Sequence, residues 1–179
     1  MGKATQDLRK EHESILYVLN IMDRMITSKT KADDVMLGYY DEVVYFLKIF
    51  ADRCHHGKEE NYLFRELVKH GVPEEGGPVG VMLQEHAQGR TFIAMMSAAL
   101  EYKNLEEFNS AASQYQELLR KHIEKENSVL FVMADRVLDE AAQDEMFEQF
   151  EQHEENVVGH GIHEKLHGMI HEWAEAFPE

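Results

Sequence analysis

A chain of 179 residues that is 44% hydrophobic can bury one sizeable core, and its formal net charge of −16 argues against nucleic acid or an anionic membrane surface as partner while suiting cations. Its single cysteine, Cys54, excludes a disulfide framework and a thiolate cluster, so any metal must be held by nitrogen and oxygen ligands. The start MGKATQDLRKEHE has no apolar leader core, and no stretch approaches the roughly 20 apolar residues of a membrane span, so a soluble, cytoplasmic protein is expected.

Only three prolines and long stretches without Gly or Pro predict helices throughout. The first runs from about Thr5 to Ile26 on the stripe Leu8, Ile15, Leu19, Met22, with His12 inside it. After a polar loop, a second begins between Asp33 and Tyr39 and ends near Lys69, before the Gly/Pro-rich run from Gly71 to Pro78. A third spans Val79 to about Tyr102 and carries His86. A fourth runs from near Asn104 to about Leu138. Beyond it come a shorter helix from Asp139 to about Asn156, a break at Gly159-His160-Gly161, and an amphipathic helix from Ile162 to Phe177. This predicts one all-α domain over residues 1–179: an up-down-up-down four-helix bundle over about 5–138 with a C-terminal helical extension over about 139–179.

Two similar steps stand inside the apolar stripes: His56 to Glu60 in CHHGKEENYLF, and His122 to Glu126 in KHIEKENSVLF. Residues four apart share a helix face, so each step aims one imidazole and one carboxylate at the core. A bare buried carboxylate costs several kcal/mol, so a cation is expected to meet it. Each half of the chain pairs a lone stripe histidine, His12 or His86, with one such step. At about 1.5 Å per residue, His86 and His122 both lie roughly 27 Å from the connection near Asn104. His12 reaches the level of His56 only if the regular part of the second helix starts near Tyr39, next to Gly38.

Six polar groups at one level of a core need a common partner. Imidazole and carboxylate without sulfur suit iron, manganese or zinc. With Glu60 and Glu126 each bridging two metals and two imidazoles on each, a position stays open for a small molecule.

The order His12, His56-x-x-x-Glu60, His86, His122-x-x-x-Glu126 resembles the hemerythrin-like, or HHE cation-binding, domain over roughly residues 5 to 150. The resemblance implies a four-helix bundle with an oxo- or hydroxo-bridged pair of iron ions. It implies metal ligands His12, His56, Glu60, His86, His122 and Glu126, and a small partner: dioxygen, nitric oxide or peroxide. It leaves two functions open, a binder or sensor of such a molecule, and an enzyme that detoxifies peroxide or nitric oxide or donates iron for iron-sulfur repair. Oxygen carriers of the family have a histidine four residues after the one on the third helix, and Arg90 stands there, which points away from reversible oxygen carriage.

His55 and Glu59 fall one residue off the ligand register and are expected to be partly exposed or to orient His56. His163-Glu164-Lys165-Leu166-His167 matches the zinc-protease motif H-E-x-x-H, but the chain ends 12 residues later and Ile170 occupies the place of the extended motif's glycine. Either of its histidines is a candidate for a fifth imidazole. A ferritin-like centre needs two E-x-x-H steps, and the chain has one, Glu164 to His167.

Overall fold

The computed structural model describes residues 1–179 as six helices without a strand. Helix α1 is Lys3–Thr27. Helix α2, residues 33–69, is one rod: an α-helical start Asp33–Phe46, wide π turns over Leu47–His56 and Glu59–Leu63, and a last turn Phe64–Lys69. Helix α3 is Pro78–Glu101, with proline in the first turn where no amide partner is needed. Helix α4, residues 105–137, is α-helical over Leu105–Lys125, widens over Glu126–Leu130 and closes as Phe131–Val137. Helices α5, Glu140–Val157, and α6, Gly159–Ala176, complete the chain.

The boundaries follow from local chemistry. Asn104 and Asp139 cap α4 and α5 by accepting from the amides of Glu107 (3.1 Å) and Ala142 (2.8 Å). Gly71 takes φ 90° just after α2, and Gly159 turns the α5–α6 corner at φ 62°. The corner needs one residue, so α6 starts at Gly159 instead of the expected Ile162. Helix α2 begins at Asp33, the early end of its expected range, so the level of His12 is not matched by a regular start near Tyr39. Its surplus residues are taken up by i→i+5 turns, which hold more residues per turn than an α-helix.

A polar layer divides the core in two. On one side lies a large cluster that includes Ile15, Leu19, Phe46, Tyr115, Leu119 and Trp173. On the other lies a smaller one with Leu8, Leu63, Phe64, Val79, Phe131 and Phe150. Between them, on α1 to α4, sit His12, His55, His56, Glu59, His86, His122 and Glu126, all buried. Helix α5 packs along α1 and against both π segments of α2, while α6 closes over α1 and the start of α2.

Candidate metal centre

The wide turns of α2 decide which side chains enter the layer. In a regular α-helix adjacent residues diverge by about 100°, so His55 and His56 would not both face the core. The π turns bring both inward, with exposures of 1% and 4%. They also give Glu59, and not Glu60, the inward position: Glu59 is fully buried and its Oε1 lies 3.3 Å from His55 Nε2. In α4 the π turn starts only at Glu126, so the expected pairing holds and His122 Nε2 lies 3.2 Å from Glu126 Oε1.

The ligand atoms form two groups that share a carboxylate. His56, His86, His122 and Glu59 make one, and His12, His55, Glu59 and Glu126 the other; within each, the donor atoms lie within 4.8 Å of one another. Glu59 spans them, with Oε2 3.2 Å from His86 Nε2 and Oε1 on the His55 side. Glu126 does the same, with Oε2 3.1 Å from His12 Nε2 and Oε1 beside His122.

The outer ring nitrogens are all held by protein. Nδ1 of His12 lies 2.9 Å from Asn127 Oδ1, and those of His55, His86 and His122 each lie 2.8 Å from a carboxylate, of Glu11, Glu60 and Glu85 in turn. His56 Nδ1 approaches Asp52 at 3.5 Å. Such anchors fix ring orientation and tautomer so that each Nε2 points inward. The inner atoms have no such partners. Nε2 of His12, His55 and His56 and both oxygens of Glu59 and Glu126 are buried without a hydrogen bond, and Nε2 of His86 faces Nε2 of His122 at 3.1 Å. Buried polar atoms are almost always paired, so close approaches without hydrogen-bond geometry indicate donors arranged around a common cation. The donor set, nitrogen and carboxylate oxygen without sulfur, fits a transition metal.

The titration behaviour carries the same message. Burial alone would discharge these groups, yet Glu59 and Glu11 overcome it at His55 and push it up to about 10. Burial is likewise overcome at His122 by Glu126 and Glu85, which raise it to about 10. Glu126 falls to about 2 because His122 and His12 outweigh burial and the charge of Glu59. Glu59 is held well below the carboxylate range against burial by His55 and His86. His56 drops to about 3 through burial and the nearby His86 and His122. Without a metal, protons on His55, His86 and His122 take the cation's place.

Five of the six expected ligands, His12, His56, His86, His122 and Glu126, therefore meet in the layer. The sixth, Glu60, does not. It is half-buried outside the clusters, where its Oε1 accepts from His86 Nδ1 and from Arg90 Nη2, each at 2.8 Å. His55 and Glu59, expected at the margin, are inside because α2 is not α-helical there. The fifth imidazole is His55; His163 and His167 are exposed on α6. Arg90 also donates from Nε to Asp52 at 2.9 Å, so it braces the carboxylates that orient both His56 and His86. The available signal was a mismatch in length. The lone histidine precedes its H-x-x-x-E step by 44 residues in the first half and 36 in the second, a surplus that wide turns absorb.

The C-terminal extension reaches this centre through α5. Its His153 donates from Nε2 to the Arg53 carbonyl at 2.9 Å, within the π segment. A Cβ at Gly57 would lie 2.6 Å from that nitrogen, so glycine is what admits the ring. Lys58 is completely buried, with Nζ 2.7 Å from Glu11, 3.1 Å from Asp7 and 3.0 Å from Glu154 of α5. Glu11 in turn holds His55.

Fold and site together define an all-helical bundle with a buried cation-binding layer. Residues 3–134 match the hemerythrin HHE cation binding domain, and the chain belongs to that family. No curated protein and no solved structure matches it. No helix is long and apolar enough to cross a membrane.

Proposed function

We propose that the chain is a cytoplasmic, non-haem di-iron protein that binds or senses dioxygen or a related small molecule such as nitric oxide or peroxide. The observation that supports it is the inward convergence of five imidazole nitrogens on the paired oxygens of Glu59 and Glu126, each outer nitrogen being anchored by protein. In this reading His56, His86 and His122 would hold one iron and His12 and His55 the other, with Glu59 and Glu126 as the carboxylate ligands. The side with two imidazoles would offer fewer protein ligands and would leave room for a small molecule. When bound, the iron pair supplies that molecule with electrons and a coordination position.

The chain's own residues do the rest. The two apolar clusters exclude bulk water, and Phe131 stacks on His12 with ring centroids 5.3 Å apart. Glu11, Asp52, Glu60, Glu85 and Asn127 keep the imidazoles aimed inward, and Glu11, Glu60 and Glu85 raise the basicity of the rings they hold. The test is elemental analysis of protein produced with ample iron, followed by optical spectra of the reduced protein with and without oxygen. Two irons per chain and an oxygen-dependent spectrum are expected; one zinc, or no metal, would sink the reading. Sustained peroxide consumption without loss of iron would make the protein an enzyme instead.

A further inference from the structure

The histidine pair of α6 belongs to no part of this centre, yet it repeats the centre's geometry. The rings of His163 and His167 lie 4.5 Å apart at 60°. Inside the bundle, His12 and His55 lie 4.6 Å apart at 60°, and His86 and His122 lie 4.8 Å apart at 60° with their Nε2 atoms 3.1 Å from each other. Both inner pairs supply donors to the buried groups. The outer pair sits one helical turn apart on a rigid helix, the spacing at which two imidazoles chelate one ion.

What the pair faces is also suited to a cation. His163 and His167 line a cavity of about 190 Å³ between α1, α2, α5 and α6, together with Asp7, Glu11 and Glu154. These three carboxylates already surround Lys58 Nζ, which contacts one oxygen of each: Oδ2 of Asp7, Oε1 of Glu11 and Oε2 of Glu154. Glu11 uses its other oxygen on His55. The second oxygens of Asp7 and Glu154 remain for another partner. The cavity is therefore lined by three carboxylates and by the ammonium of Lys10, with buried Lys58 paired to those carboxylates, and the two imidazoles line its α6 side. Neither histidine is held by a carboxylate on its own helix.

The geometry points to a second cation site, at the surface, in which His163 and His167 chelate one divalent transition ion and the Asp7 and Glu154 side of the cavity balances its charge. Zinc or a similar borderline ion suits two imidazoles completed by water. The H-E-x-x-H sequence thus acts through its two histidines as a binding pair, while Glu164 instead points to His160, 3.1 Å away, and not into a catalytic site.

The site stands independently of the iron reading, and one experiment separates them. Zinc is titrated calorimetrically into the iron-loaded full-length protein and into a His163→Ala/His167→Ala variant, with iron content measured on both. The wild type is expected to bind one zinc more than the double variant at equal iron content, and its Tm is expected to rise with zinc only when both histidines are present. Equal zinc stoichiometry in the two proteins, or no zinc binding by either, overturns the site. Because the readout is the difference between them, it survives a buried centre that takes zinc instead of iron. Both histidines are exposed, so their removal is not expected to disturb folding.

Discussion

Helices α2 and α4 carry nearly the same words, HHGKEEN and KHIEKEN, and use them differently. In α4 the helix is regular up to Lys125, so His122 and Glu126 face the core as their spacing requires. In α2 the wide turns come first, and the inward pair becomes His55 and Glu59, with His56 turned inward beside them. The asparagines that follow diverge as well: Asn127 holds His12, whereas Asn61 is exposed. A repeat in sequence thus becomes an asymmetric site, with three imidazoles in one group and two in the other. The asymmetry comes from backbone turn type, not from side-chain composition.

The strongest way to break this comparison is to replace, one at a time, the adjacent glutamates Glu59 and Glu60 of α2. Glu59→Ala is expected to abolish metal binding, because it removes the carboxylate shared by both groups. Glu60→Ala removes only the acceptor that steadies His86 and Arg90, so metal should stay bound with about 10- to 100-fold lower affinity. Metal content and competition with a chelator measure both. A Glu60 variant that loses all metal while Glu59→Ala keeps it would return α2 to a regular helical register.

A smaller effect is expected where α5 supports the wide turns. Gly57→Ala drives a methyl group against His153 and should cost about 1 to 3 kcal/mol in denaturant unfolding, as overpacked sites do. Adding His153→Ala should recover part of that loss, since the clash is with that ring. Additive effects in the double-mutant cycle would mean that the two residues do not meet.

The mildest test is the pH dependence of the metal-free chain. His55 and His122, raised from 6.5 to about 10, contribute stability that is complete below pH 6.5 and is lost as pH rises towards 10. His56, lowered from 6.5 to about 3, works the other way: protons favour the unfolded chain as pH falls from 6.5 towards 3. Glu126, lowered from 4.5 to about 2, contributes stability that is present above pH 4.5 and lost as pH falls towards 2. Metal-free stability should therefore peak near pH 6.5, and metal should flatten the alkaline side by replacing the protons on His55 and His122. Urea unfolding from pH 4 to 10, with and without metal, reads this directly; no decline above pH 6.5 in the metal-free chain would contradict it.

The sequence by itself determined the helical class, the four stripes of the bundle, and five of the residues in the polar layer. It could do so because His12, His86 and His122 sit on regular helix and Glu126 directly follows it, so a period of 3.6 converts spacing into direction. His56 was legible as an inward residue for a different reason: the wide turns carry both members of the His55-His56 doublet inside. Only the tertiary structure decided between Glu59 and Glu60, because hydrogen bonds that run to the fifth residue change the direction of everything after them. It also decided the outer partners of the imidazoles. Glu11, Asp52, Glu85 and Asn127 lie on other helices or other turns, and nothing in their local sequence marks them. The same holds for α5 and α6: their amphipathic patterns were readable, but the contact of His153 with the π segment and the cavity between His163, His167 and Asp7 arise from packing between residues more than 90 positions apart.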